Sequence, residues 1–282
     1  MSILLELDAV PEGALYVDTR TARDYGEGHV PGAVHFDSFD LGSESTDPSG
    51  LESLLGAWRH AFETTGIAWE DTVVFYDTAT ENRSSRPAVA LRALGHPRAH
   101  VLHGGATSWL DDGRPLSSEE SRRPPASWPD VLPKSPRVII GIDEVAMSLG
   151  RGNVVLLDVR DHEEFDGTKQ MHDNPRLGRI PGCQPLEWTS LLRSRADYPK
   201  LAGTPRFEGQ VLHRFLDDDE LGRRLAEAGA GDIGTRVILY CQRSHRASNT
   251  YLVLEKLGYF NASVFAGSFR EWSQRLDLPV EA

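Results

Sequence analysis

The chain states the same series of motifs twice, and that repetition limits its fold more than any single residue does. In the first half, Leu15-Tyr16-Val17-Asp18-Thr19-Arg20 is a short strand ending in Asp-x-Arg. Gly28-His29-Val30-Pro31-Gly32, Val73-Val74-Phe75-Tyr76-Asp77, a helical stretch reaching Leu94-Gly95, Val101-Leu102-His103-Gly104-Gly105 and Trp109 come after it. The second half replays the order with Leu156-Leu157-Asp158-Val159-Arg160, Gly178-Arg179-Ile180-Pro181-Gly182, Val237-Ile238-Leu239-Tyr240-Cys241, Leu257-Gly258, Val264-Phe265-Ala266-Gly267 and Trp272. A repeated unit of alternating strands and helices, in a chain of 282 residues, predicts an α/β fold of two tandem domains. Each would be a mostly parallel sheet flanked by helices, because parallel strands need helical crossovers.

The stretch from Pro115 to Pro136 is dense in Pro, Ser and charge and reads as a linker. The expected division is a first domain over 1–116, a linker over 117–136 and a second domain over 137–282. Ile142-Asp143-Glu144-Val145 reads as a helix start with Asp143 near the cap. The glycines and proline of Gly-x-x-Pro-Gly suit a turn that needs positive φ at glycine and a fixed φ at proline. Asp18 and Asp158 are expected to bind backbone N–H groups, and Trp109 and Trp272 to pack helix against sheet.

A formal net charge of −12 argues against nucleic acid and anionic membranes as partners. No long uncharged apolar run predicts a membrane span, and Met1 to Glu6 lacks the pattern of a signal peptide. The two cysteines, Cys183 and Cys241, make neither a disulfide framework nor a Cys-x-x-Cys metal pair; no metal and no cofactor are expected. A reducing cytoplasm fits a chain that depends on a free thiol.

Cys241 ends a buried-type strand, and the helical pattern resumes from Ala247 to Leu257. The amides of such a turn and helix start converge on a point that can hold an anion. A lone cysteine at a strand end is more often a small buried hydrophobe. Here the helix dipole, Arg243, Arg246 and His245 all favour ionisation of its thiol, and the thiolate is the nucleophile. Four residues separate Cys241 from Arg246, one fewer than in the phosphate-cradling loops of protein phosphatases. The smaller loop suits a single extra sulfur atom on the cysteine.

At these residues the chain resembles the rhodanese (sulfurtransferase) superfamily. The loop Cys241-Gln242-Arg243-Ser244-His245-Arg246 is similar to Cys-x-x-Gly-x-Arg and, through Gln242, His245 and Arg246, to the loop of tandem-domain thiosulfate sulfurtransferases of the Azotobacter type. Ser244 stands where many members have Gly. Asp-x-Arg and Gly-x-x-Pro-Gly are further marks of the family, so the resemblance covers nearly the whole chain, twice.

The resemblance implies ping-pong transfer of a sulfane sulfur from thiosulfate to cyanide or a thiol acceptor, through a persulfide on Cys241. Residues Gln242, Arg243, Ser244, His245, Arg246 and Ala247 would cradle the persulfide, and Arg160, Arg176, Arg179 and Trp188 are candidate substrate contacts. Arg246 would point either at the donor or back into the loop as a brace. Glu164 takes the place where animal thiosulfate and mercaptopyruvate enzymes carry a substrate-binding arginine. In the first half Asp77 aligns with Cys241, and the loop to Arg86 is longer. A carboxylate cannot carry a sulfane sulfur and would itself fill an anion cradle, so the first domain is read as inactive, either covering one wall of the second domain's site or serving as a scaffold. Cys183 has no cationic loop behind it and is expected to be inert.

Three classes remain open on these residues. The first is a sulfurtransferase, acting on small molecules, on 3-mercaptopyruvate, or as a persulfide carrier with a cysteine desulfurase or other protein as sulfur donor or acceptor. The second is a phosphatase or arsenate reductase with a shortened loop. The third is a non-enzymatic binding module.

Overall fold

The computed structural model describes residues 2–80, 82–130, 137–193 and 214–281. The chain forms two compact units: Met1–Leu41 with Ala57–Ser135 and Leu192–Phe215, and Gly42–Gly56 with Pro136–Leu191 and Leu216–Ala282.

The first unit is built on β1 (Leu4–Leu5), β2 (Leu15–Asp18), β3 (Val34–His35), β4 (Val73–Tyr76) and β5 (Ala99–Leu102). They pair in the order β1-β5-β4-β2-β3, all parallel. The helices in chain order are α1 (Ala22–Glu27), α2 (Pro48–Thr65), α3 (Asn82–Ala93) and α4 (Gly105–Asp111). The second unit repeats the plan with β6 (Ile139–Ile140), β7 (Val154–Asp158), β8 (Gln184–Pro185), β9 (Arg236–Tyr240) and β10 (Ala262–Phe265), in the parallel order β6-β10-β9-β7-β8. Its helices are α5 (Ile142–Ser148), α6 (His162–Phe165), α7 (Asp218–Glu227), α8 (His245–Lys256) and α9 (Ser268–Gln274). Both faces of the central strands are covered, which is why Val73 to Tyr76 and Val237 to Tyr240 are continuous apolar runs with no exposed surface.

The repeated motifs become one repeated frame. Asp18 accepts the Arg20 amide at 3.0 Å and its guanidinium at 2.5 Å, and Arg20 also donates to the Gly28 carbonyl at 2.8 Å. Asp158 and Arg160 repeat this at 3.0 and 2.6 Å, with Gly178 at 2.8 Å. Tyr76 and Tyr240 each donate to the same aspartates at 2.7 Å, and accept from the amides of Val30 and Ile180 in the Pro-Gly turns. A buried ion pair is tolerated where its remaining donors and acceptors are satisfied in this way. Trp272 is fully buried, its indole donating to the Pro279 carbonyl at 2.8 Å.

The structure differs from the sequence reading in three places. Residues 117–130, though mostly exposed, are anchored rather than free: His29 and Ser117 exchange backbone hydrogen bonds of 2.8 Å, and Trp128 is buried, stacked on Phe62 with its indole on the Ile67 carbonyl. One buried indole outweighs the Pro- and Ser-rich composition around it. Residues 131–136 lie outside the described residues. The cap of α5 is Gly141, with Asp143 inside the first turn. Thr46, from the 42–56 segment of the same unit, supplies the oxygen for the Ile142 amide at 3.1 Å, and a side chain at Gly141 would collide with the Thr46 carbonyl. Helix α8 begins at His245, two residues before the expected start.

Candidate active site

In the second sheet, the chain leaves β7 toward β8 and leaves β9 toward β10, in opposite directions. The carboxyl ends of β7 and β9 therefore flank the point where an open α/β sheet leaves a crevice. Cys241 is the residue after β9, and Asp158, Val159, Arg160 and Asp161 come from the end of β7. The two strands are locked in register, with Asp158 opposite Tyr240.

Cys241 is 1% exposed. The turn after it reverses through Ser244, whose φ of 65° is left-handed and which caps α8. A non-glycine residue there costs about 1–2 kcal/mol, so other contacts must hold it. Ser268, also left-handed at φ 52°, supplies them. Its hydroxyl accepts from the amides of Cys241 at 3.3 Å and Ser244 at 3.0 Å and donates to the Phe265 carbonyl. The amides of Phe269 and Arg270 hold the carbonyls of Cys241 and Gln242 at 2.9 and 3.2 Å. Among the described residues, the backbone amides of Gln242, Arg243, Arg246 and Ala247 donate to no protein acceptor. Gln242 and Arg243 belong to the turn that follows the thiol, and Arg246 and Ala247 are orphan donors of the first turn of α8.

The loop side chains divide by task. The Gln242 carboxamide donates to Asp173 at 2.9 Å and Asn174 at 2.6 Å, and accepts from Asn174 at 2.9 Å, so it ties the loop to the 170s segment. Arg243 lies at the rim, half exposed, on Asp173. His245 and Ala247 are buried in the first turn of α8. Arg246 donates to Glu164 at 2.5 and 3.0 Å and to Asp161 at 3.0 Å. Burial works against its charge, but the bonds to Glu164 and the nearby charge of Cys241 outweigh that and raise its pKa. Arg246 thus turns to the cap and first turn of α6 rather than back into its own loop.

The candidate substrate arginines have other partners. Arg160 is buried on Asp158 and lies 4.1 Å from the Phe269 ring. Arg176 donates to the carbonyls of Trp272, Ser273, Arg275 and Leu278, which closes the end of α9. Arg179 pairs with Glu281 at 2.6 Å. Trp188 opens a short 3-10 turn, its amide on the Val159 carbonyl at 3.3 Å. Each of these arginines holds a contact within the fold. Cys183 is buried beside Tyr240, and its pKa is pushed up to about 12 by burial and by Asp158.

Sequence reading missed Ser268 and the anchoring pair Asp173 and Asn174. The signal for Ser268 was present: Gly267-Ser268 in the second half lies over Gly104-Gly105 in the first. At Gly105 a side chain would meet the Asp77 carbonyl at 2.3 Å, whereas Ser268 is accommodated. At the equivalent point in the first unit stands a carboxylate. Asp77 is buried and accepts from the amides of Thr78 at 2.7 Å and Arg83 at 3.1 Å. Burial raises its pKa to about 6 against the pull of those amides.

Comparison with known proteins agrees with this geometry. Residues 5–112 and 142–275 each match the rhodanese-like domain. The thiosulfate sulfurtransferase of Azotobacter vinelandii is 30% identical over 273 residues, covering 95% of this chain and 90% of the relative. That of Pseudomonas aeruginosa is 29% identical over the same shares. A solved probable thiosulfate sulfurtransferase superposes with a TM-score of 0.67 at 28% identity, over 97% of this chain and 99% of that one. Wild-type EanB shares the fold, with a TM-score of 0.74 at 23% identity; this chain spans 65% of its length.

Proposed function

The chain belongs to the rhodanese family, and we propose that it is a sulfurtransferase working through a persulfide on Cys241, with thiosulfate as donor and cyanide or a thiol as acceptor. The observation that carries this reading is the buried Cys241 followed by four amides that, among the described residues, have no protein acceptor. A terminal sulfur bearing negative charge matches that set of donors, which are fixed before the reaction and need no reorganisation.

In the first half-reaction the Cys241 thiolate attacks the outer sulfur of thiosulfate. The sulfur–sulfur bond of the donor breaks, sulfite leaves with the electron pair, and Cys241 carries the persulfide. In the second, cyanide or a thiolate attacks the terminal sulfur and Cys241 leaves as thiolate. Gln242 to Ala247 shape the cradle, Ser268 holds its turn, and Arg246 braces it through Glu164. The first unit is read as catalytically silent, since Asp77 fills the position that Cys241 holds in the second. Among the described residues no helix is long and apolar enough to cross a membrane. A reducing compartment such as the cytoplasm would keep the working thiol free.

The test is the intact mass of the protein after brief exposure to thiosulfate and again after cyanide. A gain of one sulfur atom, removed by cyanide and absent in Cys241→Ser, supports the reading. Gain of sulfur in the variant would place the chemistry elsewhere.

A further inference from the structure

The charged side chains of the Cys241 loop are paired. On the loop and the segments facing it, Arg243, Arg246, Arg270 and Lys169 meet Asp161, Glu164, Asp173 and Glu44. Four cations face four carboxylates, and Arg160 and Arg176 are committed to Asp158 and to backbone carbonyls. The α8 amides add a positive pull equivalent to about half a unit charge at a helix start. Within this set the Glu164–Arg246 pair stands apart. The Glu164 side chain is 1% exposed and Arg246 14%, whereas Asp161 and Arg243 are 37% and 50% exposed. Charge effects are strongest where water is excluded, so Glu164 weighs most on the field at the thiol.

Building on the Cys241 persulfide reading, we infer that Glu164 sets the charge preference of the donor site. By holding Arg246 in a buried pair, it favours sulfane-sulfur donors of single negative charge, such as thiosulfonates and alkyl persulfides, over the dianion thiosulfate. Methanethiosulfonate offers the same reacting bond with one charge less. The thiolate takes its outer sulfur, the sulfur–sulfur bond breaks, and methanesulfinate leaves with the electron pair. The overall charge of −2 is the same before and after. With thiosulfate, sulfite leaves and the overall charge is −3 throughout. Glu164 is a positioning residue here: it acts through Arg246 and need not touch the donor.

The experiment measures the rate of sulfur gain on Cys241 in the full-length protein, with thiosulfate and with methanethiosulfonate, across a range of donor concentrations. In Glu164→Gln the preference for thiosulfate over methanethiosulfonate should rise about tenfold, mostly through a lower KM for thiosulfate. Glu164→Asp, which keeps the charge, should retain the wild-type ratio. Asp161→Asn keeps a good helix cap while removing the second carboxylate on Arg246, and should shift the ratio the same way by about threefold. It carries the test if Glu164→Gln does not fold. An unchanged ratio in folded Glu164→Gln, or in Asp161→Asn if that is the folded variant, overturns the inference while leaving the persulfide reading intact. If neither donor loads Cys241 in the wild type, the persulfide reading fails and this inference with it.

Discussion

The two halves share a frame and part ways at the end of a central strand, where one has Asp77 and the other Cys241. The Asp–Arg–Tyr contacts at β2 and β4 repeat at β7 and β9 to within a few tenths of an ångström. Beyond that frame the first half places a carboxylate on its loop amides, and the second has a thiol at that strand end and, among the described residues, four loop amides without a protein acceptor. The frame therefore serves the fold, and the chemistry belongs to the loop at the strand's carboxyl end. A loop built to hold a negative charge can be quieted by giving it a carboxylate of its own.

The sharpest way to break this comparison is at the strand ends. Cys241→Ser should reduce sulfur transfer by about a thousandfold or more, because no other group in the cradle can carry the sulfur. Retained turnover, measured as thiocyanate formed from cyanide, would end the assignment. Next in size are the shared aspartates. Asp18→Ala and Asp158→Ala each strand a buried arginine and should each cost their own unit about 3–5 kcal/mol, read by denaturant unfolding. A large effect at one and none at the other would show that the frames are not equivalent.

Asp77 gives a test by pH. Its ordinary value is 3.8 and in the fold it is raised to about 6, so the folded chain binds the proton more tightly than the unfolded one. Stability is then lost as pH rises from about 4 to about 6, by about 2–3 kcal/mol in total. Asp77→Asn lacks this titration. The difference in Tm, variant minus wild type, should grow across that window and level off above it; a flat difference from pH 4 to 7 would contradict the burial argument. The smallest effect is expected at Ser268→Gly, which makes the second half resemble Gly104-Gly105 of the first. Loss of the hydroxyl under Cys241 and Ser244 should slow sulfur loading about tenfold, with stability changed by no more than about 1 kcal/mol, since glycine relieves the left-handed strain.

How far these features could be read beforehand depends on their range along the chain. The repeat, the Asp-x-Arg pairs, the Pro-Gly turns and the thiol at a strand end are local patterns, and their periodicity and spacing carry them. The filling of the first cradle by Asp77 was legible too, because it needs only the alignment of the halves. The pairing of Arg246 with Glu164 was not, since it joins residues 82 positions apart and depends on which way a long side chain turns. The same holds for Arg176, whose guanidinium closes a helix end through carbonyls 96 and 99 positions away. Trp128 was hidden by its neighbours, whose composition speaks for exposure.

The contact between Tyr240 and Cys183 has a consequence for anyone who modifies this protein. The tyrosine hydroxyl lies 3.1 Å from the Cys183 sulfur, and the pKa of that thiol is pushed up to about 12. At neutral pH Cys183 is therefore a poor target for electrophiles and oxidants, which act on thiolates. The chain has one other cysteine. A single alkylation per molecule consequently reports on Cys241, and protection of that thiol by a donor can be followed in the native protein without replacing its companion.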